Sequence, residues 1–148
     1  MIKLTDLLAK KLREVGVDNV YGLTGGAVVH IFDSFKKNKV NVTFTNHEQA
    51  AAFAATGHSK FTNSYSCCVS TTGPGVTNTL TGLAGAWLDS CPVVFISGQA
   101  RYNQTTNDLK NIRQIGTQQL NIIPIVESMT KYSIMLKKAD DVVYELEK

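Results

Sequence analysis

The chain has 148 residues, of which 43% are hydrophobic and 18% are charged, the make-up of one ordinary globular domain. Its net charge of +3 arises from positive and negative side chains mixed at both ends, which argues against nucleic-acid binding or a membrane surface. No apolar run is long enough for a membrane helix, and charged residues interrupt the start too often for a secretory signal. We therefore expect a soluble, cytoplasmic protein whose three cysteines are reduced.

Hydrophobic periodicity predicts helices and strands in alternation. In chain order the pattern predicts a helix over 4–15, a strand over 20–23, a helix over 27–37, a strand over 40–45, a helix over 48–61, a strand over 65–70, a helix over 76–89, a strand over 92–97, an irregular polar stretch over 100–117, a helical turn over 124–129, a strand over 131–136 and a helix from residue 139. Strands spaced by such helices are typical of parallel βαβ crossovers. The predicted fold class is α/β, with an open, mostly parallel sheet that carries helices on both faces. The adjacent Cys67 and Cys68 should then point to opposite faces of their strand.

Charged side chains are almost missing from the middle of the chain. Between residues 41 and 100, only Glu48, Lys60 and Asp89 carry a charge when histidine is neutral. A span this poor in charge is expected to be buried by the domain's own core, by a partner or by a ligand. Glu48 begins an alanine-rich segment, so it is either a surface acid in a first helical turn or a functional group.

Four glycine-rich or polar turns follow the first four predicted strands, where parallel sheets bind their ligands. They are Gly25-Gly26, Asn46-His47-Glu48, Thr72-Gly-Pro-Gly75 and Gly98-Gln99. Each turn alone is a weak signal, because glycines at such places often serve only the turn. Neither Gly25-Gly26 nor Thr72-Gly-Pro-Gly75 has the spacing of a dinucleotide-binding fingerprint or the lysine of a P-loop. Together they indicate a site where a flat ligand approaches the backbone and a lone carboxyl shares a proton with a ring nitrogen.

Metal and thiol chemistry have little support in the sequence. His47-Glu48 begins like a zinc-protease motif, but Ala51 stands where the second histidine belongs. A nucleophilic cysteine needs a basic setting, whereas Cys67 and Cys68 lie in an apolar strand. We expect no metal ligands from this chain and buried, inert thiols.

Four longer runs of residues carry a family resemblance. They are Tyr21-Gly-Leu-Thr-Gly-Gly-Ala, then Asn46-His-Glu-Gln-Ala-Ala-Ala-Phe-Ala-Ala-Thr-Gly-His, then Ser70-Thr-Thr-Gly-Pro-Gly-Val-Thr-Asn, then Leu88-Asp-Ser-Cys-Pro-Val-Val-Phe-Ile-Ser-Gly-Gln. In this order they resemble the pyrimidine-binding (PYR) domain of thiamine-diphosphate-dependent enzymes of the acetolactate synthase, pyruvate oxidase and 2-oxoacid decarboxylase group. The resemblance implies thiamine diphosphate as the cofactor and a 2-oxoacid as the substrate of a lyase or transferase.

The resemblance also implies roles for individual residues beside the aminopyrimidine ring. Glu48 matches the glutamate that hydrogen-bonds N1′ of the ring and so activates the cofactor. Pro74, Gly75 and Asn78 match the turn and helix start that lie against the ring. These four residues are therefore expected to bind the cofactor, together with Gly25, Gly26 and Asn121, and Glu48 is expected to be the catalytic residue.

Two further stretches match the side of the site that faces the reacting carbon. Gly25 and Gly26 match a glycine turn in relatives of the acetolactate synthase type. The stretch Ile-Gly-Thr-Gln-Gln-Leu-Asn, which ends at Asn121, resembles one that usually reads Ile-Gly-Thr-Asp-Ala-Phe-Gln. By its position in this stretch, the resemblance implies that Asn121 contacts the cofactor. Because Leu120 and Asn121 replace the usual Phe and Gln, the resemblance leaves the particular 2-oxoacid open. The loop over 102–113 is longer and more polar than is usual in this group.

The sequence does not contain the Gly-Asp-Gly motif of this family. In the family a second domain carries that motif and binds the diphosphate through Mg²⁺. The resemblance implies that residues 1–148 are a PYR domain truncated at its C-terminus, without the central and diphosphate-binding domains and inactive alone. It is then either an amino-terminal fragment or the PYR-only subunit of a two-chain enzyme. The implied partner is the diphosphate-binding domain of the same or another chain, in a homo-oligomer such as a dimer or tetramer. A flavin is compatible with the group, but no residue here indicates one.

Two other functions remain open from the residues. A non-catalytic assembly or regulatory domain could keep the fold without binding a cofactor, although such a domain has no physical need for Glu48 in an apolar cleft. A flavodoxin-like domain would bind the phosphate of FMN or another nucleotide. No turn in this sequence is arranged as a phosphate cradle, which argues against that function.

Overall fold

The computed structural model describes residues 2–106, 109 and 111–148. The strands are β1 (Asn19–Gly22), β2 (Asn41–Phe44), β3 (Ser66–Ser70) and β4 (Val93–Ser97); the helices are α1 (Leu4–Glu14), α2 (Val29–Lys37), α3 (Glu48–Thr62), α4 (Pro74–Thr77), α5 (Leu80–Leu88), α6 (Ile123–Val126) and α7 (Val142–Glu147), with 3-10 turns at Tyr102–Gln104, Glu127–Met129 and Ala139–Asp141. No helix in the described ranges has the length and apolarity needed to cross a membrane.

The four strands form one parallel sheet in the order β2-β1-β3-β4. Val20 in the central strand β1 lies opposite Val42 of β2 and Cys67 of β3, and Cys67 lies opposite Val94 of β4. Because every pair is parallel, the carboxyl ends of all four strands meet at one edge of the sheet. The predicted α/β fold class is confirmed, and the four turns singled out in the sequence share that edge.

Helices cover both faces of the sheet because the strands alternate their side chains. On one face, α1, α2 and the end of α7 pack on a core that includes Val20, Cys67 and Val69. On the other face, the alanines of α3 pack against Tyr21, Cys68 and Phe95, and α5 and α6 adjoin Phe95. The expectation that Cys67 and Cys68 point to opposite faces is therefore confirmed.

Helices α3 and α5 approach each other closely on the second face. A Cβ added at Gly82 of α5 would lie only 2.4 Å from the Cβ of Ala52 in α3, so the absence of a side chain at Gly82 allows this approach. Ala51, Ala52 and Ala55 of α3 are fully buried. Small residues on both helices therefore fix the position of α3, whose first residue is Glu48.

The predicted single helix over 76–89 is wrong, because the structure divides it into α4 and α5 at Asn78 and Thr79. The hydroxyl of Thr79 donates to the carbonyl of Val76 (2.7 Å), and the hydroxyl of Thr77 donates to the carbonyl of Pro74 (3.0 Å). Such short-range side-chain bonds compete with the helical pattern and favour a break. The break leaves Asn78 outside the regular helix.

The predicted strand over 131–136 is also wrong, since none of the sheet's four strands pairs with it. Tyr132, Ile134 and Leu136 are apolar at every second position, although the apolar Met135 interrupts the alternation. A strand also requires a neighbour that pairs with its backbone. Here a hollow of about 420 Å³ lies beside the segment, bounded on another side by Ile123 and Pro124, and all three apolar side chains remain partly exposed.

Candidate functional site

Glu48 is the first residue of the 15-residue helix α3 and is 92% shielded from solvent, its exposed fraction being 8%. The preceding residue, His47, caps the helix: its Nδ1 accepts a hydrogen bond from the backbone N–H of Gln49 (3.1 Å). The hydroxyl of Thr45 donates to the carbonyl of His47 (2.8 Å) and fixes the entry into the helix. At this position the helix dipole favours a negative charge, which offsets part of the cost of burying the carboxylate.

Asn78 holds the carboxylate of Glu48 from the other side. Its Nδ2 donates to Glu48 Oε2 at 3.0 Å, across 30 residues of sequence. The other oxygen, Oε1, receives no hydrogen bond from the described part of the chain, and it faces Gly75, where an added Cβ would lie 3.4 Å away. One oxygen of the carboxylate is therefore fixed by the protein, while the other remains available to a ligand.

The two other charges of the middle segment behave differently from Glu48. Lys60 Nζ and Asp89 Oδ2 form an ion pair of 2.9 Å on the surface, with side chains 65% and 53% exposed. An exposed pair of this kind contributes little to stability. Of the three charges noted in the sequence, Glu48 is thus the buried one, and it is the one paired with an amide rather than with an opposite charge.

The charge of Glu48 also acts on a buried thiol, that of Cys68. Burial, and secondarily the negative charge of Glu48, raises the pKa of Cys68 from 9.0 to about 12. Burial likewise raises the pKa of Cys67 well above its usual value. Both thiols are therefore neutral near pH 7, and they lack the basic setting of a nucleophilic cysteine.

Thr71 joins two of the glycine turns. A Cβ at Gly25 would lie 2.6 Å from Thr71 Cβ, and a Cβ at Gly75 would lie 2.6 Å from Thr71 Cγ2. The space beside both glycines is thus occupied by one threonine side chain, which brings the turn after β1 against the turn after β3. Gly26, in contrast, is exposed and a Cβ there would meet nothing within 4 Å. Pro74 is exposed at the first position of α4.

Asn121 lies apart from this group. It is exposed and borders the hollow of about 420 Å³ beside residues 133–137, which neither Glu48 nor Asn78 lines. Its neighbour Leu120 is connected to the turns by a hydrogen bond from Gln99 Nε2 to the Leu120 carbonyl (2.7 Å). The structure thus groups Glu48, Gly75 and Asn78, links Gly25 through Thr71, and separates Asn121.

Sequence reasoning missed the roles of Thr71, Gln99 and Gln118. In the sequence, the Gly98-Gln99 pair stands out by its place after the fourth strand and as the end of a run that carries the resemblance, and Gln118 only as part of a resemblance. A φ of +59° at Gly73 lets the turn after β3 lie against Gln118, since a Cβ at Gly73 would be 2.3 Å from its carbonyl oxygen. A contact across 45 residues leaves no periodic signal in the sequence.

The described residues contain no cluster of side chains suited to bind a metal ion. In residues 2–106, 109 and 111–148, no three His, Cys, Asp or Glu side chains lie close enough together to hold a metal ion. The arrangement is suited instead to hydrogen bonding and proton sharing, through a shielded carboxylate with one open oxygen next to a glycine backbone.

Comparison with known proteins adds the family. Residues 2–125 match the model of the "Thiamine pyrophosphate enzyme, N-terminal TPP binding domain". The chain is 35% identical over 144 residues to an acetolactate synthase large subunit of Haemophilus influenzae, covering 97% of this chain and 24% of that protein. It is 36% identical over 133 residues to the acetolactate synthase isozyme 2 large subunit of Escherichia coli, covering 88% of this chain and 22% of that protein. The chain thus spans about a quarter of the length of these relatives, and it belongs to the family of N-terminal TPP-binding domains of thiamine pyrophosphate enzymes.

Proposed function

We propose that this chain is the pyrimidine-binding part of a thiamine-diphosphate-dependent, acetolactate synthase-like enzyme that decarboxylates or ligates 2-oxoacids. The observation that carries the proposal is that Gly75 and Asn78, from a second stretch of sequence, converge on the shielded carboxylate of Glu48. Family membership supports the cofactor, and the named relatives support the class of reaction.

These residues fit an aminopyrimidine ring. The open oxygen of Glu48 can share a proton with a ring nitrogen, while Asn78 keeps the carboxyl group from rotating. Gly75 has no side chain, so a flat ring can lie against its backbone next to that oxygen. In this proposal Glu48 is the catalytic residue, and Gly75, Pro74 and Asn78 form the wall beside the ring. Gly25 and Gly26 extend the site toward the substrate, and Asn121 contributes from the separate segment that Gln99 connects to the turns.

When bound, thiamine diphosphate supplies a nucleophilic carbon and accepts the electron pair left by decarboxylation. The part of this chain is to hold the ring and to move one proton at its nitrogen through the Glu48 carboxyl. A positioned acid–base group of this kind accelerates a reaction by roughly 10²- to 10⁴-fold. Mg²⁺ and the diphosphate are assigned to a partner domain, because the proposed site contains one carboxylate and no cluster of oxygen ligands.

An exposed apolar surface supports a partner domain. The side chains of Phe61 and Leu88 are 90% and 79% exposed, and Phe53 and Trp87 are about half exposed, at 49% and 43%. These four residues lie on α3 and α5, the two helices that carry or adjoin the proposed site. Large apolar side chains left exposed on two neighbouring helices are typical of interaction surfaces. We therefore propose that the diphosphate-binding domain, of the same or another chain, covers this surface, and that the chain alone is inactive.

The test is Glu48→Gln in the complete enzyme, with Glu127→Gln as the matched control on an exposed glutamate. We expect Glu48→Gln to slow hydrogen–deuterium exchange at C2 of bound thiamine diphosphate by roughly 10²-fold or more, with the circular dichroism spectrum unchanged. Exchange at the wild-type rate would contradict the role of Glu48. If the wild-type protein shows no saturable binding of thiamine diphosphate with Mg²⁺, the assembly or regulatory function is favoured instead.

A further inference from the structure

The side chain of Gln99 lies where three segments of the chain meet. Its Oε1 accepts hydrogen bonds from the hydroxyl of Thr72 (3.1 Å) and from the backbone N–H of Ala100 (2.9 Å). Its Nε2 donates to the carbonyl of Leu120 (2.7 Å). One half-buried amide thus connects the end of β4, the turn after β3 and the segment around Leu120.

The orientation of this amide is determined by its neighbours. The backbone N–H of Ala100 can only donate and the carbonyl of Leu120 can only accept, so Oε1 must face Ala100 and Nε2 must face Leu120. A rotated amide would place its oxygen against the Leu120 carbonyl. Both the oxygen and the nitrogen of the Gln99 amide therefore have the partner that they require.

The two segments that Gln99 connects also touch each other directly. The hydroxyl of Thr72 shares its proton between Gln99 Oε1 and the carbonyl of Gln118 (3.2 Å). The backbone of Gly73, which has φ +59°, leaves room for that same carbonyl. We call residues 118–121 the docked segment. It is held on the Thr72–Gly75 turn by the hydroxyl of Thr72, the backbone of Gly73 and the side-chain amide of Gln99.

We propose that Gln99 is a positioning residue, which fixes the docked segment against the Thr72–Gly75 turn and so sets the place of Asn121 relative to Glu48. The proposal deepens the function proposed above and rests on it for the roles of Glu48 and Asn121. The turn touches Glu48 through Gly75, while Asn121 follows Leu120 directly. Gln99 contacts neither Glu48 nor Asn78, so it acts on the site through the backbone of its neighbours.

The variant Gln99→Glu tests the proposal because it keeps the shape and removes the donor. The new carboxylate still accepts from Thr72 and Ala100, but its second oxygen faces the Leu120 carbonyl and repels it. The matched control is Gln114→Glu. Gln114 Nε2 also donates to a backbone carbonyl, that of Gly116 (2.9 Å), without touching the turn.

Two measurements distinguish positioning from plain stability. Hydrogen exchange of this chain should rise roughly tenfold in the docked segment and in the Thr72–Gly75 turn of Gln99→Glu, with α1 unchanged. In the complete enzyme, the KM for the 2-oxoacid should rise by roughly fivefold or more, with the Kd for thiamine diphosphate changed less than about twofold, because Glu48 and Asn78 are untouched. Gln114→Glu should do neither.

Either of two results would overturn the proposal. Exchange could rise equally throughout the chain, which would make Gln99 a general stabilising residue, or it could rise no more than in Gln114→Glu. The exchange measurement needs no cofactor, so it decides whether Gln99 positions the docked segment even if the wild-type enzyme fails to bind thiamine diphosphate. Failure of that binding would remove the proposed function and not the connection through Gln99.

Discussion

The close approach of α3 and α5 leads to a prediction about Gly82. In Gly82→Ala the new methyl group would lie 2.4 Å from the Cβ of Ala52, whereas an ordinary contact begins near 3.4 Å. The two helices must therefore separate by about 1 Å or distort, and inserting a methyl group into a packed interface costs roughly 1–3 kcal/mol. Replacing a helical glycine by alanine also gains about 1 kcal/mol of helix propensity, which partly conceals that cost.

Gly85→Ala separates the two effects. Gly85 lies in the same helix, and a Cβ there would meet nothing within 4 Å, so this variant should be stabilised by about 1 kcal/mol. Gly82→Ala should then be about 1–3 kcal/mol less stable than Gly85→Ala in urea unfolding followed by circular dichroism.

A double variant identifies the partner of the clash. In Ala52→Gly combined with Gly82→Ala, the methyl group moves from α3 to α5, so the helix-propensity changes cancel. The 2.4 Å contact is removed, and contacts of 3.1 and 3.3 Å to the backbone carbonyl carbon and Cα of residue 52 remain. This variant should recover to within about 1 kcal/mol of the wild type, although Ala52→Gly alone is destabilising. Equal stabilities of Gly82→Ala and Gly85→Ala would refute the reasoning. Additive effects of Ala52→Gly and Gly82→Ala would show that Ala52 is not the residue that clashes.

Three further predictions concern the turns, the thiols and a surface ion pair. Gly73→Ala should lose roughly 1–3 kcal/mol of stability, because its φ of +59° and a Cβ 2.3 Å from the Gln118 carbonyl oxygen both oppose a side chain. Gly26→Ala, the control, should change stability little, because a Cβ there meets nothing within 4 Å. Equal unfolding curves for the two variants would contradict this prediction. Between pH 9.0, the usual thiol pKa, and about 12, the folded chain keeps a proton on Cys68 that the unfolded chain loses. Stability should therefore fall as pH rises through that range, and it should fall less in Cys68→Ala. Identical alkaline unfolding profiles of the wild type and Cys68→Ala would argue against a buried neutral thiol. A hydrogen bond from Lys37, and to a lesser extent one from Lys3, lowers the pKa of Asp33 below its usual value of 3.8. The stability that these hydrogen bonds give is present above pH 3.8, and it is lost as pH falls through the lower pKa of the folded state. The unfolding midpoints of wild type and Asp33→Asn should therefore converge in acid, and a gap that persists at about pH 2 would contradict the pairing.

The fold was predictable because its signals are local. Val20, Cys67 and Val94 lie in short apolar runs bounded by turn residues, and the helices between them have clear apolar faces. Such patterns predict a parallel sheet and place the four turns at one edge. The errors arise where a competing local interaction or a missing neighbour decides the outcome. Thr79, between α4 and α5, bonds the carbonyl of Val76, and over 131–136 no strand of the sheet pairs with the backbone.

The candidate site was predictable in part. Glu48 stood out because it is an isolated acid in an apolar stretch, and the structure buries it. Its contact with Asn78 could be inferred only through the family, since no pattern in the residues themselves connects positions 30 apart. The connections made by Thr71 and Gln99 were not predictable, because they depend on how the turns meet in space. The assigned roles of Gly26, Pro74 and Asn121 remain predictions.

The backbone N–H of Gly116 donates to the carbonyl of Gln104 at 2.8 Å, and a Cβ on Gly116 would lie 2.6 Å from that of Ala100. Gln104 and Gly116, which flank the stretch between them, are therefore held together. Lengthening a loop whose ends are already joined costs only about 0.6 kcal/mol for each doubling of its length. A longer stretch between Gln104 and Gly116 is therefore expected to cost the domain little stability, provided that the hydrogen bond from Gln119 Nε2 to the hydroxyl of Thr106 (2.8 Å) is kept.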